Sequence, residues 1–557
     1  MRSDFRPVVL FLAELTLMTW WRQIFSDSPR RLGRSLKIGC RSGPHLRKWH
    51  PPPGPVVMSV RVNTSAIDST DEHPDPLAAL RRSEKWIMRN GVGIQVMETM
   101  AVGAFLTALA VQLGASNFTI GALAAIPHLS QLAQIPGVYA VDRLADRKRV
   151  YMWSGWVARP MFLVIAVAAW LLPPDTALGV ILAAFAIRYI AGAFLQVSWS
   201  SWMRDLVPDS EMGRLFGKRQ QRMIGIGIAL SLVGAGFIDL WRLYVPQPVT
   251  IAYGIVYTLA FIGGAYAVIC ARHIWEPPMQ PVVGESLFAR LREPFRHDNY
   301  RRLIRFLTSW NFAINLAAPF FTVHMLKQLE MDLFWVIGLG TLSQIAAWLT
   351  VSRWGRIADH FNNKSVLRVC GGAFVLAIFA WTFTTFPDVH AGTVPLLIVI
   401  HIIAGIATAG VNLASGNIAL KLAPVGNSTA YLASSSMVNA MAGGLAALSG
   451  GAFADLFATW ELTLTLNWHD TSQSLAVEAL SFSHWDFFFF FATVIGLYAL
   501  HRLGYVNEEG DTKNSVVLGL MMRSARQSLR NLSTIAGLRA GSSFDLDELK
   551  ADRRRRG

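Results

Sequence analysis

The chain has 557 residues, of which 53% are hydrophobic and only 16% are charged. A soluble protein typically carries about 25% charged residues, so this composition excludes an ordinary soluble protein and indicates a membrane protein. The formal net charge of +15 is scattered over many short segments, which argues against nucleic acid as a partner because no single soluble domain gathers the charge.

Residues 1–85 are predicted to be a tail that is partly disordered. Residues 8–21 form an apolar run that is too short to cross a bilayer comfortably, and residues 47–53 are basic and rich in proline. Two interpretations are open. Either the apolar run lies on the membrane surface, or residues 1–57 are upstream sequence and Met58 is the natural start, which is the interpretation that we favour.

Apolar runs near 20 residues, the length that a helix needs to cross the hydrocarbon core, then follow about twelve times. A backbone exposed to lipid must satisfy its own hydrogen bonds, so each run is predicted to be a helix. The predicted fold class is therefore an all-α membrane protein with about twelve transmembrane helices in two six-helix repeats. The predicted spans are 92–113, 119–141, 150–172, 176–198, 222–242, 249–270, 303–326, 334–352, 365–386, 393–415, 429–457 and 485–505.

The two sets of six spans are copies of one unit. Residues 129–133 (Leu-Ser-Gln-Leu-Ala) recur at 342–346 (Leu-Ser-Gln-Ile-Ala), and residues 143–146 recur at 356–359, both at an offset of 213. Further matches follow at an offset of 216, after a gap of three residues: Gly234 with Gly450, Phe237 with Phe453 and Asp239 with Asp455. Such an internal repeat places a substrate path between two halves of a membrane protein.

The predicted domains follow from these spans. They are an N-terminal tail (1–85), a first six-helix repeat (86–270), a cytoplasmic central loop (271–301), a second six-helix repeat (302–506) and a basic cytoplasmic C-terminal tail (507–557).

Basic residues alternate between the two ends of the spans. The links between spans 2 and 3, 4 and 5, 6 and 7, and 8 and 9 are rich in Lys and Arg, whereas residues 114–118, 387–392 and 458–484 contain neither. This asymmetry predicts that the basic loops and both termini face the cytoplasm, in a multi-pass protein of the cytoplasmic membrane. Residues 513–540 are predicted to form a basic amphipathic helix on the inner leaflet.

Two of the basic loops carry an aspartate at equivalent positions. Residues 142–149 read Asp-Arg-Leu-Ala-Asp-Arg-Lys-Arg, and residues 355–364 read Gly-Arg-Ile-Ala-Asp-His-Phe-Asn-Asn-Lys. Together with two six-span halves and a long basic central loop, they resemble the major facilitator superfamily, whose loop signature is roughly Gly-x-x-x-Asp-Arg/Lys-x-Gly-Arg/Lys-Arg/Lys. The chain departs from the signature with Asp142 in place of the first Gly and His360 in place of the first basic residue. The resemblance covers about residues 85–506 and implies a transporter.

In the resembled family, this aspartate braces the two halves in one of two alternating states. A carboxylate beside several basic groups can form charge-assisted bonds in one state and release them in the other, which supports the same role. The alternative is that these charges only mark the cytoplasmic face. The expected gating residues are Asp142, Arg143, Asp146, Arg147, Gly355, Arg356, Asp359 and Lys364. Asp239 and Asp455, near the outer ends of spans 5 and 11, suit an outer gate or a simple interfacial position.

Glu98 is an ionisable residue inside the first predicted span, and Gln95 lies three residues earlier on the same helix face. A charge inside a membrane is costly unless it faces a cavity or a partner. Because burial favours the neutral form of a carboxylate, Glu98 suits a group that loads and releases a proton or contacts substrate. The alternative is a structural carboxylate paired with Asn or Arg.

Arg188 lies near the middle of span 4, and its counterpart at the offset of 213 is His401 in span 10. Spans 4 and 10 line the central cavity in the resembled family, so the two basic side chains are expected to face each other across the path. This arrangement favours an anionic or zwitterionic substrate. The alternative is that Arg188 pairs with Glu98 and that His401 is a hydrogen-bonded core residue.

Other polar residues inside the spans are candidates for solute contacts. Gln131 and Gln344 form a symmetric pair that can bind solute or hydrogen-bond neighbouring helices to each other. We favour the second interpretation. Trp310 and Asn311, in span 7, are expected to shape the pocket.

These features predict a secondary active transporter that moves a small solute by alternating access, by symport or antiport. A proton is the expected coupling ion, and an anionic or zwitterionic solute is slightly favoured. The alternative is a sensor or receptor that uses the transporter fold without net transport. The sequence has no nucleophile constellation, phosphate-binding loop or metal-ligand cluster, so we expect no enzyme, no cofactor and no metal. The expected partners are the solute, the coupling ion and the lipid bilayer, with the protein as a monomer.

Overall fold

The structure is a computed structural model, and it describes residues 76–279, 291–385, 390–424, 428–469 and 474–508. The predictions for the apolar run 8–21, for a start at Met58 and for an amphipathic helix over 513–540 lie outside the described residues.

The first half folds as six helical segments, three of which are interrupted. Gly103, with a φ of 68°, separates the first two helices, a 3₁₀ turn at Ser130–Ala133 follows Pro127, and Pro160 precedes another helix start. The helices are α1 (Pro76–Ala101), α2 (Ala104–Gln112), α3 (Asn117–Leu129), α4 (Gln134–Leu144), α5 (Arg147–Ala158), α6 (Met161–Leu171), α7 (Pro174–Leu206), α8 (Asp209–Tyr244) and α9 (Val249–Arg272).

The second half also has six helical segments, and a β-hairpin separates the last two. The elements are α10 (Asp298–Lys327), α11 (Leu333–His360), α12 (Asn363–Ala380), α13 (Thr393–Lys421), α14 (Ser428–Leu456), β1 (Glu461–His469), β2 (Ser474–Ser483) and α15 (His484–Leu503). β1 and β2 pair antiparallel. The strands were not predicted, although alternating apolar residues such as Leu462, Leu464 and Leu466 are typical of a strand.

Ten helical segments among the described residues are long and apolar enough to cross a membrane. Two predicted spans fall outside this set. Span 119–141 is divided into the short helices α3 and α4, and span 303–326 contains the polar residues Asn311 and Asn315. α1 begins at Pro76, ahead of the predicted start of the first span at residue 92. The preceding turns are basic, and hydropathy does not detect a charged extension of a helix.

The helix ends define two faces of the molecule. We call the face that carries residues 142–149 and 353–364 the basic end, and the opposite face, from which the β-hairpin follows α14, the hairpin end. At the hairpin end, one apolar core contains residues of both halves, such as Phe105 and Leu123 with Phe320. At the basic end, the described residues form two separate cores, one in each half. The halves therefore pack together at the hairpin end and have independent cores at the basic end.

A glutamate after the last helix of each half binds the start of that half's third segment at the basic end. The Glu276 carboxylate accepts hydrogen bonds from the backbone N–H groups of Arg147 (2.8 Å) and Lys148 (3.1 Å). The Glu508 carboxylate accepts one from the backbone N–H of Lys364 (2.8 Å) and one from the Asn363 side chain (2.9 Å). The first N–H groups of a helix have no partner within the helix. Each carboxylate supplies that partner and so binds the third segment of its half to the chain that follows the last helix.

The two lysines complete the same arrangement in both halves. The Lys148 ammonium donates to the carbonyl of Ile274 at 2.9 Å, and the Lys364 ammonium donates to the carbonyl of Gly504 at 3.2 Å. Each lysine therefore binds the chain that leaves the last helix of its half, next to the capping glutamate.

We predict that Glu276→Ala lowers the stability of the purified protein by about 1 kcal/mol, because two hydrogen bonds at a helix N-terminus are lost. Glu276→Gln keeps an acceptor oxygen and should preserve most of this stability. Thermal unfolding in detergent measures both variants, with the exposed Glu330→Ala as control. Equal unfolding temperatures for Glu276→Ala and Glu330→Ala would contradict the capping role.

The pH dependence of the same unfolding should identify Glu276 further. Burial raises the pKa of Glu276, although the hydrogen bonds from Arg147 and Lys148 oppose this shift. A carboxyl with a raised pKa binds its proton more tightly in the folded state. The stability that this protonation adds is present below the unfolded pKa of about 4.3 and is lost as the pH rises through the folded pKa, whereas the two hydrogen bonds to the carboxylate remain above it. Glu276→Gln should remove this component of the pH profile.

Candidate functional site

An ion pair between Glu98 and Arg188 lies in the interior of the first half. Arg188, on α7, is only 4% exposed, and its guanidinium bonds the Glu98 carboxylate of α1. The guanidinium also lies over the rings of Tyr189, 4.0 Å from the centroid, and Phe162, at 5.3 Å. The Glu98 side chain remains 39% exposed. Arg188 is therefore enclosed by protein, whereas its counter-charge has an open side.

A second arginine lies behind this pair. Arg159, at the end of α5, is 3% exposed, hydrogen-bonds Tyr151 and interacts electrostatically with both Arg188 and Glu98. The Tyr151 hydroxyl accepts a hydrogen bond from the Asn90 side chain at 3.0 Å. The buried cluster thus holds two guanidinium groups and one carboxylate, and it carries net positive charge.

Arg188 and His401 each have a partner within their own half. Arg188 binds Glu98, and the Nδ1 of His401 is 2.8 Å from the carbonyl of Leu397 one turn earlier in α13. The His401 ring also packs edge-on against Trp381, with centroids 5.6 Å apart. His401 therefore has a partner within its own helix and an aromatic neighbour within its own half.

Gln95, Gln131 and Gln344 occupy different environments. Gln95 donates to the hydroxyl of Thr99 at 2.8 Å, on the same helix. Gln131, in the 3₁₀ turn between α3 and α4, is exposed, and Gln344 on α11 is also exposed. The structure therefore leaves the two repeat-related glutamines accessible rather than buried between helices.

The α10 candidates divide into a packed residue and residues that remain partly accessible. Trp310 is 4% exposed and packs on Phe374, with ring centroids 6.0 Å apart. Asn311 and Asn315 each donate to a carbonyl one turn earlier in α10, at 2.8 Å. Asn315 also hydrogen-bonds His128 of α3, so it links the two halves.

Two aspartates join the halves at the hairpin end. Asp239 of α8 accepts hydrogen bonds from the backbone N–H groups of Leu333 (3.3 Å) and Phe334 (2.7 Å), the first two residues of α11. Each bond connects the first half to the second. The carboxylate also places its negative charge at the positive end of the helix dipole, which stabilises the contact.

Asp455 makes the equivalent contact from the second half to the first. This residue of α14 accepts hydrogen bonds from the backbone N–H groups of Asn117 (3.1 Å) and Phe118 (2.8 Å), the first two residues of α3. The aspartates and the helix starts that they bind are all related by the repeat offset of 216. Asp239 is half-buried and Asp455 is exposed, so water screens the second contact more than the first.

Close backbone contact accompanies the Asp455 bonds. A Cβ atom added to Gly451, one turn before Asp455 on α14, would lie 2.6 Å from the carbonyl oxygen of Asn117. Only glycine fits where two helices approach so closely. The Lys327 ammonium of α10 adds a further crossing bond of 3.2 Å to the carbonyl of Ala115.

The expected gating residues of the first half fall into two groups. Asp142 and Arg143 are exposed on the last turn of α4. Asp146 is the N-cap of α5, where its carboxylate accepts from the backbone N–H of Arg149 at 2.7 Å. Arg147 is 1% exposed and binds Asp205 at 2.7 Å. Asp146 and Arg147 therefore bond within the first half, and Asp142 and Arg143 are accessible.

In the second half, Arg356 and Asp359 are exposed in the last turns of α11, and Gly355 is half-buried. Lys364 is 4% exposed because it belongs to the Glu508 contact. The N-cap of α12 is Asn362, which accepts from the backbone N–H of Ser365 at 2.8 Å. Asp359 therefore differs in environment from its sequence counterpart Asp146.

Sequence reasoning missed Arg159, Glu276 and Glu508. Arg159 was detectable, because it is a charged residue within the predicted span 150–172 and such residues are rare and functional. The two glutamates follow the sixth helix of each half at positions that do not share the repeat offset, so the repeat could not identify them.

The chain belongs to the Major Facilitator Superfamily, whose family model matches residues 91–447. Solved structures of transporters have the same fold. The nucleoside transporter NupG is 12% identical, covers 77% of this chain and 98% of its own, and has a TM-score of 0.55. A D-xylose-proton symporter is 13% identical, covers 79% of this chain and 100% of its own, and has a TM-score of 0.54. A comparison with curated proteins gives no significant match.

A bacterial homologue of the iron transporter ferroportin, solved in an inward-facing state, is 9% identical, covers 77% of this chain and 98% of its own, and has a TM-score of 0.55. At such identities, the likeness shows the fold alone. The predicted fold class is confirmed, and the chain is a multi-pass membrane protein of a transporter family.

We predict that Asp239→Asn opens the hairpin end. The variant loses the charge and one of two acceptor oxygens. This loss is worth roughly 1 kcal/mol, which raises the ratio of the state open at the hairpin end to the closed state about fivefold. Asp455→Asn should act in the same direction but more weakly, since Asp455 is exposed. Spin labels at the exposed positions Leu243 of α8 and Trp335 of α11, in a background without native cysteines, measure the separation of these helices.

Asp175→Asn is the matched control for this measurement, because Asp175 is an exposed carboxylate at the start of α7, at the same end. The longer label distance should become more populated in Asp239→Asn and unchanged in Asp175→Asn. Identical distance distributions in the two variants would rule out Asp239 as part of a closure.

Proposed function

We propose that the protein is a secondary active transporter that moves a small anionic or zwitterionic solute together with a proton across the cytoplasmic membrane, by alternating access of its two halves. The observation that supports this proposal is the Glu98–Arg188 pair. In this pair, the partly exposed Glu98 carboxylate binds the buried Arg188 guanidinium, inside the first half of a transporter fold. Such intramembrane charges are retained where they serve a substrate or proton path.

The distribution of the apolar cores supports alternating access. The halves share one core at the hairpin end and have separate cores at the basic end. At the hairpin end, the Asp239 and Asp455 contacts join the halves beside the shared apolar core. Hydrogen bonds to helix termini can form and break between two states. By the distribution of Lys and Arg, the basic end faces the cytoplasm, so this is the inward-facing state of the cycle.

Competition for Arg188 couples the proton to the solute. An anionic group that reaches the site displaces Glu98 from the guanidinium. A carboxylate that has lost its counter-charge inside a membrane is costly as an anion, so Glu98 then takes up a proton. One proton enters with each negative charge of the solute, and the net charge of the site stays constant through the cycle. The D-xylose-proton symporter with the same fold is named as a proton-coupled protein.

Arg159 explains the preference for an anion. Because it lies near Arg188 and Glu98, one positive charge remains uncompensated after Arg188 and Glu98 neutralise each other. An anionic or zwitterionic solute lowers the electrostatic energy of this site, and a cation raises it.

The transport test uses proteoliposomes and a panel of labelled carboxylates, phosphates, amino acids, nucleosides and sugars, first by counterflow and then with an imposed pH gradient. We predict that Arg188→Gln weakens binding of the transported solute roughly ten- to hundredfold, since a charged hydrogen bond is lost. Glu98→Gln should abolish uptake driven by the pH gradient and retain exchange. Glu330→Gln, an exposed carboxylate change, is the matched control and should behave as the unmodified protein.

Two results would overturn this proposal. If Glu98 and Arg188 are only a structural pair, each single variant is destabilised and the double variant Glu98→Gln with Arg188→Gln regains both its unfolding temperature and full exchange. If the protein is instead a sensor, some compound of the panel binds with measurable affinity, and none of the compounds exchanges in counterflow.

A separate prediction concerns the basic end. Asp359 is exposed in the present state, and we propose that it pairs across the halves when the basic end closes. An exposed ion pair contributes about 0.2–1 kcal/mol, so Asp359→Asn should shift the equilibrium up to about fivefold towards the state closed at the hairpin end. This shift is opposite in sign to that of Asp239→Asn and is measured with the same pair of spin labels.

Asp298→Asn serves as the control for Asp359→Asn. Asp298 lies at the basic end, where it pairs with Arg301 three residues later and is 73% exposed. A shift of the same sign and size in both variants would mean that general surface charge, rather than a closing contact, acts at Asp359.

A further inference from the structure

A basic cavity lies between α1 and α8 at the basic end, apart from the Glu98–Arg188 pair. Its volume is about 400 Å³, and it is lined by Arg81, Glu84, Lys85, Met88, Arg89, Val92, Lys218 and Arg222. The one acidic residue, Glu84, is paired with Arg214 at 3.7 Å. The five basic side chains form no ion pair with the described residues, so the cavity carries a large uncompensated positive charge.

One side of the cavity faces away from the Glu98–Arg188 pair. Arg89 and Glu98 are nine residues apart on α1, or two and a half turns, so they lie on opposite faces of the helix. The charge of Arg89 acts on Tyr266 of α9. Tyr266 belongs to an exposed stripe with Ile262 (56% exposed) and Ile269 (47%). Such an apolar exposed stripe on a membrane helix faces lipid, so the cavity adjoins the lipid-facing surface.

The depth of the cavity corresponds to the headgroup region. Trp86, next to the cavity on α1, stacks on His273 with centroids 4.3 Å apart, and the Arg89 guanidinium lies 5.1 Å from the Trp86 centroid. Tryptophan concentrates where membrane helices meet the interface. The basic rim therefore lies at the level of lipid phosphates, and Met88 and Val92 contribute apolar surface for the glycerol region.

We propose that this cavity binds the headgroup of an anionic phospholipid in the leaflet at the basic end. Basic pockets between membrane helices on this side are suited to phosphate-bearing headgroups, and guanidinium groups bind phosphate with two parallel hydrogen bonds. The lipid phosphate bridges Arg81, Lys85 and Arg89 of α1 to Lys218 and Arg222 of α8. Because α1 carries Glu98 and α8 carries Asp239, the bound lipid ties together the helix of the ion pair and the helix of the hairpin-end closure.

The test compares two variants of the full chain that lose the same charge. The cavity variant is Arg81→Gln, Lys85→Gln, Lys218→Gln and Arg222→Gln. The control variant changes four exposed basic residues that do not line the cavity: Arg82→Gln, Arg149→Gln, Arg272→Gln and Arg305→Gln. Native mass spectrometry from detergent measures the phosphatidylglycerol retained during a titration. Phosphatidylcholine, inorganic phosphate and glycerol 3-phosphate are titrated in parallel.

We expect the apparent Kd for phosphatidylglycerol to rise roughly tenfold or more in the cavity variant, since each basic residue contributes to attraction of anionic lipid. The control variant should change it about twofold or less, as expected of screened surface charge. Phosphatidylcholine and the two soluble phosphates should show no saturable binding. If the cavity variant is unstable, the double change Lys85→Gln with Lys218→Gln should give an intermediate increase.

Two outcomes overturn the proposal. Equal weakening in the cavity and control variants means that phosphatidylglycerol binds through general surface charge. Saturable binding of inorganic phosphate that the cavity variant abolishes, at an affinity equal to that of phosphatidylglycerol, means that the cavity holds a soluble anion instead of a lipid.

Discussion

The organisation of this protein depends on carboxylates that accept hydrogen bonds from the N-termini of helices. The first N–H groups of each helix lack partners within the helix, so a carboxylate there is both a hydrogen-bond acceptor and a counter-charge to the helix dipole. Glu276 and Glu508 each act within one half, whereas Asp239 and Asp455 each act between the halves. One kind of interaction therefore maintains each half and also joins the two.

Contacts within a half and contacts between the halves have different consequences for movement of one half relative to the other. Glu276 and Glu508 bind helices of the same half together with lysine contacts to the same chain segments, so in each half the third segment is bound to the chain that follows the last helix. Asp239 and Asp455 cross between the halves at one end, where the apolar core is also continuous. We propose that opening this end breaks the Asp239 and Asp455 contacts and parts the shared apolar core without unfolding either half, as alternating access requires. The ion pair of Glu98 and Arg188 lies within the first half.

The repeat offsets matched residues with equivalent contacts in one region of the chain but not in another. The offset of 216 identified Asp239 and Asp455 as equivalent, and the structure gives them the same contact. The offset of 213 equated Asp146 with Asp359, yet Asp146 caps α5 and Asp359 is exposed in the last turns of α11, where Asn362 provides the cap of the next helix. Asp359 lies three residues before the cap Asn362, and three residues span most of a helical turn. Local sequence similarity does not show where a helix ends.

The sequence by itself determined the class of fold, because apolar runs of bilayer length must form helices and the internal repeat must give two similar halves. It also marked Glu98 and Arg188 as charges that require a partner or a cavity. Only the tertiary structure decided that they pair with each other, that Arg159 lies behind them, and that His401 bonds within its own helix. Periodicity and hydropathy specify which residues enter the membrane. The partner of a buried charge depends on helix rotation and crossing, which are set by packing over the whole chain.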